Sequence, residues 1–204
     1  MGGDVTMNGQ KSDEQSRNDL FLIDNTANPS PLGLCAFGMT TLALSFHNAG
    51  ITSFASPILA MALFYGGLAQ VIAGIMEWKK NNTFGLLTFG SFGFFWISLA
   101  TLQILPASGL AKAPGPAEMA VFLGLWGLFA IGIFICTLKM HKALQMTIFA
   151  LILTFILLVV AELTSNASIL IAAGCLGIIT GALAVYIGFG QAINEVHGKK
   201  VVPV

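Results

Sequence analysis

Long stretches without charged residues alternate with short segments that contain charges and helix breakers. No Asp, Glu, Lys or Arg occurs between Leu32 and Met76, Asn81 and Ala111, Met119 and Leu138, Ala143 and Ala161, or Leu163 and Asn194. A membrane core about 30 Å thick is crossed by about 20 apolar residues in a helix. Each stretch is therefore long enough for one or two transmembrane helices.

Breakers and charges divide these stretches into six predicted helices. Their ranges are Leu32–His47, Pro57–Trp78, Thr83–Leu105, Ala117–Leu138, Ala143–Ala161 and Ala167–Gly190. The segment PASGLAKAPGP contains three prolines and predicts a loop after Leu105. A soluble helical protein would carry polar stripes on its helices, and these stretches lack them. The pattern predicts an all-α membrane protein with six transmembrane helices.

Lysine and arginine positions predict the orientation, because cytoplasmic loops retain positive charge. With six spans, eight of the nine basic residues lie on one side, and Lys112 alone lies on the other. We therefore expect both termini to be cytoplasmic. The predicted domains are a disordered cytoplasmic tail over 1–27, a six-helix transmembrane domain over 28–192 and a cytoplasmic C-terminal tail over 193–204.

Composition excludes several function classes. Apolar residues make up 56% of the 204 residues and charged residues 9%, whereas soluble domains carry about 25% charged residues. The net charge is zero, so the chain lacks the basic balance of a nucleic-acid binder. Cys35, Cys136 and Cys175 stand apart, without neighbouring His or Cys residues. We expect no metal, no cofactor and no enzymatic activity.

The predicted membrane interior contains uncharged polar residues instead of ionisable ones. Thr40, Thr41 and Gln70 fall inside spans, where each could line a path or, for a threonine, bond to the backbone of its own helix. His47, Glu77 and Glu162 fall at span ends. Each is either a solvated end group or a candidate for proton coupling.

The segment Asn28-Pro29-Ser30-Pro31-Leu32-Gly33-Leu34 begins the first predicted helix. Asn28 or Ser30 could cap this helix, and the amides of Leu32, Gly33 and Leu34 would then lack helical partners. Free amides at a helix start bind anions. The segment is therefore either an ordinary helix start or a vestibule that receives a carboxylate.

Several motifs in register resemble the acetate uptake transporter family, which includes bacterial succinate–acetate permeases. The similarity runs from about Asn28 to the C-terminal tail. Its motifs are Asn28 to Leu34 with Phe37-Gly38-Met39-Thr40-Thr41, Tyr65-Gly66-Gly67-Leu68-Ala69-Gln70 with Glu77, Asn82-Thr83-Phe84-Gly85, Phe95-Trp96, Gly124-Leu125-Trp126-Gly127 and Thr137-Leu138-Lys139.

The resemblance implies a homo-hexamer in the cell membrane, with a path through each protomer for acetate, similar short monocarboxylates and, as a further candidate, succinate. It also implies an apolar constriction at Phe37, Phe92 and Leu151, with Ala184 lining the path nearby. Many relatives have an aromatic hydroxyl at the position of Phe92, so a hydrogen bond to the solute is not expected there. A small-metabolite sensor and a urea or amide channel are the competing hypotheses.

Overall fold

The computed structural model describes residues 26–204, whose regular secondary structure is helical, without a strand. The predicted six-helix fold is confirmed. The helices are α1 (Ser30–Asn48), α2 (Ser56–Lys79), α3 (Thr83–Ala107), α4 (Pro116–Thr137), α5 (Lys142–Thr164) and α6 (Ala167–His197). The predicted tail over 1–27 falls outside the described residues, apart from positions 26 and 27.

Five of the helices, α2 to α6, are long and apolar enough to cross a membrane. The 19-residue α1 is not among them, and it carries Thr40, Thr41 and Ser45 within its length. All three side chains are buried. The polar positions of α1 therefore face protein and do not face the surroundings of the bundle.

The contact between α1 and α6 extends along most of α1. A Cβ atom on Gly174 would contact Ala49, just beyond the end of α1. A Cβ atom on Gly188 would lie 3.1 Å from the carbonyl oxygen of Pro31, near the start of α1. Because α1 runs beside α6 over its whole length, it lies at the same depth in the bundle as the five apolar helices.

Two of the helix ends that differ from the prediction have a structural explanation. The last helix continues to His197, seven residues beyond the predicted Gly190, because a folded-back C-terminal segment covers this part of α6. The third helix includes Pro106, which the prediction assigned to a loop. A proline so near the end of a helix removes one backbone donor and interrupts little that follows.

The middle of α2 is a π-helix, which the sequence pattern did not predict. It covers Met61–Ala69 and lies between the α-helical segments Ser56–Ala60 and Gln70–Lys79. A π-helix widens the turn, and such segments are frequent at functional sites. This one is followed directly by Gln70, which is a predicted candidate for the path.

Glycines allow α1 and α6 to cross at very short distance. A Cβ atom on Gly38 would lie 2.7 Å from the carbonyl oxygen of Gly181, and one on Gly181 would lie 2.7 Å from the carbonyl oxygen of Gly38. Small residues at helix crossings let backbones approach in lipid, where apolar side chains gain little from leaving the solvent. This reciprocal contact holds α1 against α6.

A similar approach joins α2 and α3. A Cβ atom on Gly74 would lie 2.7 Å from the backbone nitrogen of Gly90. One on Gly93 would lie 2.6 Å from the side chain of Val71. These contacts set the antiparallel register of the two helices: the turn after Gly67 in α2 faces the turn around Phe92 in α3.

Aromatic side chains fill the space between α3 and α4. The ring of Phe95 lies 5.2 Å from that of Trp126 and 5.9 Å from that of Phe122. The ring of Phe92 lies 5.3 Å from that of Phe129. Ring pairs at these separations add attraction beyond the burial of their surfaces. Large rings therefore join α3 to α4, in contrast to the glycine contacts of α1 with α6.

The C-terminal segment folds back onto the end of α6. The Asn194 side-chain oxygen accepts hydrogen bonds from the backbone nitrogens of Val201 and Val202, at 2.7 and 2.8 Å. Its amide donates to the carbonyl oxygen of Val202 at 2.8 Å. Val204 covers Gly190, where a Cβ atom would lie 2.7 Å from the valine side chain. The segment that follows α6 is thus packed against it.

Replacing Gly181 by Val is expected to destabilise the protein, because the new side chain would overlap the backbone of α1 at Gly38. Overpacking of this kind typically costs about 1 to 3 kcal/mol. The measurement is the melting temperature in detergent. The matched control is Gly132→Val in α4, where a Cβ atom would meet no heavy atom within 4 Å. Equal melting temperatures for the two variants would contradict the role of this crossing.

Stability is also expected to fall in mild acid through His141, which caps α5. Its ring nitrogen Nδ1 accepts a hydrogen bond from the backbone nitrogen of Leu144 at 3.3 Å, which requires the unprotonated nitrogen. Burial, followed by the charge of Lys200, lowers the pKa of His141 below its usual 6.5. Because the unfolded chain then binds the proton more readily, stability declines as the pH falls from about 6.5 towards the lowered pKa.

The test compares melting temperatures of the wild type and His141→Asn at about pH 8 and about pH 5. Asparagine caps helices without titrating, and loss of a cap costs about 1 kcal/mol. The variant should lose less stability in acid than the wild type. An identical loss in both proteins would rule out His141 as the source.

Candidate solute path

The start of α1 is capped by its own motif. The Asn28 side-chain oxygen accepts a hydrogen bond from the backbone nitrogen of Ser30 at 3.1 Å. The backbone nitrogen of Gly33 donates to the carbonyl oxygen of Pro29 at 3.2 Å. The expectation that the Gly33 amide lacks a partner is therefore wrong, because the helical bonding pattern reaches back to Pro29. Leu32 is the most exposed apolar residue of this turn, at 37%.

Glu77 lies beside the start of α1, although it belongs to the end of α2 in the sequence. Its carboxyl group is buried. The Ser30 hydroxyl lies 2.6 Å from Oε1 and the Asn82 amide nitrogen lies 2.7 Å from Oε2. A Cβ atom on Gly85 would lie 2.6 Å from the Glu77 carboxyl carbon, so this glycine makes room for it. Ser30, Glu77 and Asn82 are called the inner cluster below.

The residues of the expected constriction lie in the buried middle of the bundle. The rings of Phe37 and Phe92 are 5.6 Å apart and inclined at 47°. Leu151 belongs to the same buried apolar cluster, and so does Ala184, whose side chain is fully buried. The structure thus brings Phe37 and Phe92 into direct contact and places Leu151 and Ala184 in the surrounding core. Their role in transport stays a prediction.

The threonines in this region fall into two groups. The Thr41 hydroxyl donates to the carbonyl oxygen of Phe37 at 2.7 Å, and Thr154 and Thr180 donate to their own helices in the same way. Each of these hydroxyls thus has a hydrogen-bond acceptor in the backbone of its own helix, as threonines in helices commonly do. The Thr40 hydroxyl is different, since it is buried and has no hydrogen-bond partner in the described part of the chain.

Gln70 is fully buried, and neither its amide nitrogen nor its oxygen has a partner in the described residues. Helix contacts place it near the level of the two rings. A Cβ atom on Gly66, one turn away in α2, would lie 2.7 Å from the Thr40 hydroxyl, one turn from Phe37. A buried amide without partners is costly, so water or solute is expected to reach this group.

A cavity of about 290 Å³ lies at the opposite end of the bundle from the inner cluster. Polar residues contributing to its lining are His47, Asn48, Gln103 and Glu162, all near helix ends. Phe95 and Trp96 also line it, one turn from Phe92. We call this space the outer cavity. Water occupies about 30 Å³ per molecule in the liquid, so the outer cavity has room for several waters or a small acid.

The three residues considered for proton coupling are therefore not one group. His47 and Glu162 line the same outer cavity. The His47 ring also lies 3.2 Å, through Nδ1, from the carbonyl oxygen of Thr52 and 5.2 Å from the Phe54 ring. Glu77 belongs to the inner cluster at the other end. The chain thus carries two separate ionisable regions with an apolar middle between them.

Sequence reasoning missed the partners of Glu77 and one buried donor. Ser30 appeared only as a capping candidate, and Asn82 appeared only within a family motif. Trp96 also appeared only within a family motif, and its indole nitrogen is buried without a partner in the described residues. An Asn directly before an apolar helix signals a cap, but no local pattern indicates that its free amide group meets Glu77.

The chain is similar over most of its length to known proteins. The model of the GPR1/FUN34/yaaH family matches residues 17–203. An uncharacterized protein from Methanothermobacter thermautotrophicus is 46% identical over 192 residues, which are 91% of this chain and 94% of that protein. The succinate-acetate/proton symporter SatP of Escherichia coli strain K12 is 46% identical over 178 residues, which are 87% and 95% of the two chains.

The fold also matches a solved structure, described as the structure of the bacterial acetate channel SatP. The TM-score is 0.86 at 46% identity, and the match covers 88% of this chain and 99% of that one. Together with the apolar helices, these similarities identify a multi-pass protein of the cell membrane. The resemblance inferred from the motifs is confirmed, and the chain belongs to the GPR1/FUN34/yaaH family.

Proposed function

We propose that this protein provides a path across the cell membrane for acetate and similarly short monocarboxylates, with succinate as a larger candidate, and that it is not an enzyme. The observation that carries the proposal is the contact between Phe37 and Phe92 in a buried apolar middle, with polar residues gathered at both ends. Relatives named for acetate or succinate transport support the same function.

The chemistry of a two-carbon acid suits such a path. Its methyl group is compatible with apolar walls, whereas its carboxylate needs hydrogen bonds before and after the narrow region. At one end, the outer cavity offers His47, Asn48 and Gln103. At the other, Asn28 and Leu32 lie at the start of α1, which presents the positive end of the helix dipole. Size at Phe37, Phe92 and Leu151 then selects short acids.

Gln70 and Thr40 are proposed to assist the solute beside the two rings. Their polar atoms are buried without partners in the part of the chain that is described. A carboxylate accepts hydrogen bonds, and both an amide and a hydroxyl can donate them. The proposed path thus offers donors close to the apolar constriction, while Ala184 keeps the neighbouring wall of α6 thin.

Proton linkage is a separate part of the proposal. A simple carboxylic acid is less than about 1% protonated near pH 7, so the neutral acid is scarce at that pH. One relative is named a proton symporter, and the solved structure is described as a channel. His47 and Glu162 in the outer cavity and Glu77 in the inner cluster are the candidate proton-binding groups.

Assembly and orientation complete the proposal. We infer a homo-hexamer from the family resemblance, with each protomer containing its own path. Lysines near the inner-cluster end of the bundle, including Lys79, Lys80, Lys139 and Lys142, support a cytoplasmic location for that end. The outer cavity would then face away from the cytoplasm, and both termini would be cytoplasmic.

Phe37→Ala is expected to speed acetate passage, because it removes one of the two rings of the proposed constriction. A rise of roughly fivefold would correspond to a barrier lowered by about 1 kcal/mol. The measurement is uptake of labelled acetate by proteoliposomes after subtraction of protein-free vesicles. The control is Phe64→Ala in α2, whose ring is exposed on the bundle surface.

The same assay tests the proposed function. Wild-type uptake no faster than that of protein-free vesicles, with folded and inserted protein, would overturn it. Saturable acetate binding without flux would instead favour the sensor hypothesis, and competition by urea but not by propionate would favour the amide channel. Because Phe→Ala in a core costs about 3 to 5 kcal/mol, the variant must first elute as the wild type does.

Leu151→Ala is expected to broaden the range of acids that the protein transports. The change removes three carbon atoms from the proposed constriction, so the ratio of lactate uptake to acetate uptake should rise by about fivefold. The assay measures both labelled acids in parallel. Leu153→Ala provides the control on the same helix, since Leu153 is exposed. An unchanged lactate-to-acetate ratio with retained acetate flux would contradict the role of Leu151.

A further inference from the structure

The Glu77 carboxyl group sits where α1, α2 and α3 meet. It is 2% exposed, and it accepts or shares hydrogen bonds with Ser30 at the start of α1 and Asn82 at the start of α3. Neither partner ionises. The lysines nearest along the chain are Lys79 and Lys80 at the end of the same helix, and the Lys80 amine donates to the carbonyl oxygen of Thr26. A buried carboxyl group is thus held mainly by neutral groups.

The orientation of Asn82 determines the role of Oε2. The Asn82 side-chain oxygen accepts from the backbone nitrogen of Gly85 at 3.1 Å, as the cap of α3. Its amide nitrogen must therefore face Glu77, and an amide nitrogen only donates. The backbone nitrogen of Asn82 also donates to the carbonyl oxygen of Glu77 at 3.0 Å, which holds the residue a second time. Oε2 is consequently an acceptor in either protonation state.

The contact with Ser30 has no such restriction. A hydroxyl group donates or accepts, so Ser30 can donate to Oε1 of the carboxylate or accept a hydrogen bond from protonated Oε1. The 2.6 Å separation suits both arrangements. A proton can therefore bind and leave at Oε1 while the three side chains keep their positions and only the hydroxyl hydrogen turns.

Glu77 is also close enough to the proposed path to influence an anion there. Ser30 precedes Phe37 by two turns of α1, about 10 Å along the helix. Two like charges at that separation in a partly buried site alter an equilibrium by on the order of tenfold. A charged Glu77 would repel a carboxylate at the start of α1, and a protonated Glu77 would not.

From this geometry we propose that Glu77 is a proton-binding site that gates carboxylate passage at the inner mouth, with the proton held on Oε1 against Ser30. In the step, an O–H bond of a hydronium ion breaks as an O–H bond forms at Oε1 of Glu77, which leaves a water molecule and the neutral carboxylic acid. The carboxylate solute then passes, and the proton returns to water when Glu77 ionises again. This inference rests on the proposed function, since it assigns one residue of the same path.

The test is exchange of labelled acetate in proteoliposomes with equal pH and equal acetate on both sides, measured over a range of pH with protein-free vesicles subtracted. Wild-type exchange should rise by about tenfold as the pH falls and Glu77 binds its proton. Glu77→Gln mimics the protonated state, because its oxygen can accept from Asn82 and its nitrogen can donate to Ser30. This variant should exchange rapidly at every pH.

The matched control is Glu195→Gln, which removes an exposed carboxylate near the end of α6 and should keep the wild-type pH profile. Wild-type pH dependence in Glu77→Gln would overturn the inference, because the neutral acid or another group would then be responsible. A wild-type profile that is flat would overturn it as well. Absence of protein-dependent exchange at every pH would instead contradict the proposed function.

Infrared spectroscopy distinguishes a failure of proton binding at Glu77 from a failure of the proposed transport function. Protonated carboxyl groups absorb apart from carboxylates, so a band that titrates in the wild type and is missing in Glu77→Gln would identify proton binding at Glu77 without any transport. A titrating band that persists in Glu77→Gln, with no band lost, would overturn proton binding there even if acetate exchange is intact.

Discussion

The backbones of α1 and α6 meet at Gly38 and Gly181, at a separation that no larger side chain allows. In lipid, apolar side chains gain little by leaving their surroundings, so close van der Waals contact between backbones has to hold the helices together. α1 depends on this contact, because its threonines and Ser45 need a protein environment. The candidate path depends on it in turn, since Asn28, Phe37 and His47 all belong to α1 or its flanks.

With α1 held in this way, polar groups lie at the two ends of the bundle and apolar side chains lie in its middle. The inner cluster around Glu77 lies at one end and the outer cavity with His47 and Glu162 lies at the other. Between them, Phe37 and Phe92 touch, and the ring of Phe92 also contacts those of Trp126 and Phe129. In the proposed path, an ion would therefore meet hydrogen-bonding groups at the ends, whereas the middle would select by size and require only a brief loss of hydration.

The candidate site was only partly predictable from local patterns. The amide of Gly33 was expected to be free, but the helical bonding reaches Pro29 and satisfies it. Gln70 was predicted as a candidate for the path, and its buried amide has no partner among the described residues. The partnership of Ser30 and Glu77 spans 47 positions of the chain, so it arises from the packing of α1 on α2 and leaves no periodic trace in the sequence.

The sequence by itself determined the helical fold, the approximate helix ends and the membrane class, because hydrophobic length, charges and prolines act locally on each segment. Its motifs also indicated the family. Only the tertiary structure decided that α2 contains a π-helix, that α1 turns its polar residues inward, and that Glu77 meets Ser30 and Asn82. These features depend on distances between helices, and side-chain volumes far apart in the chain set those distances.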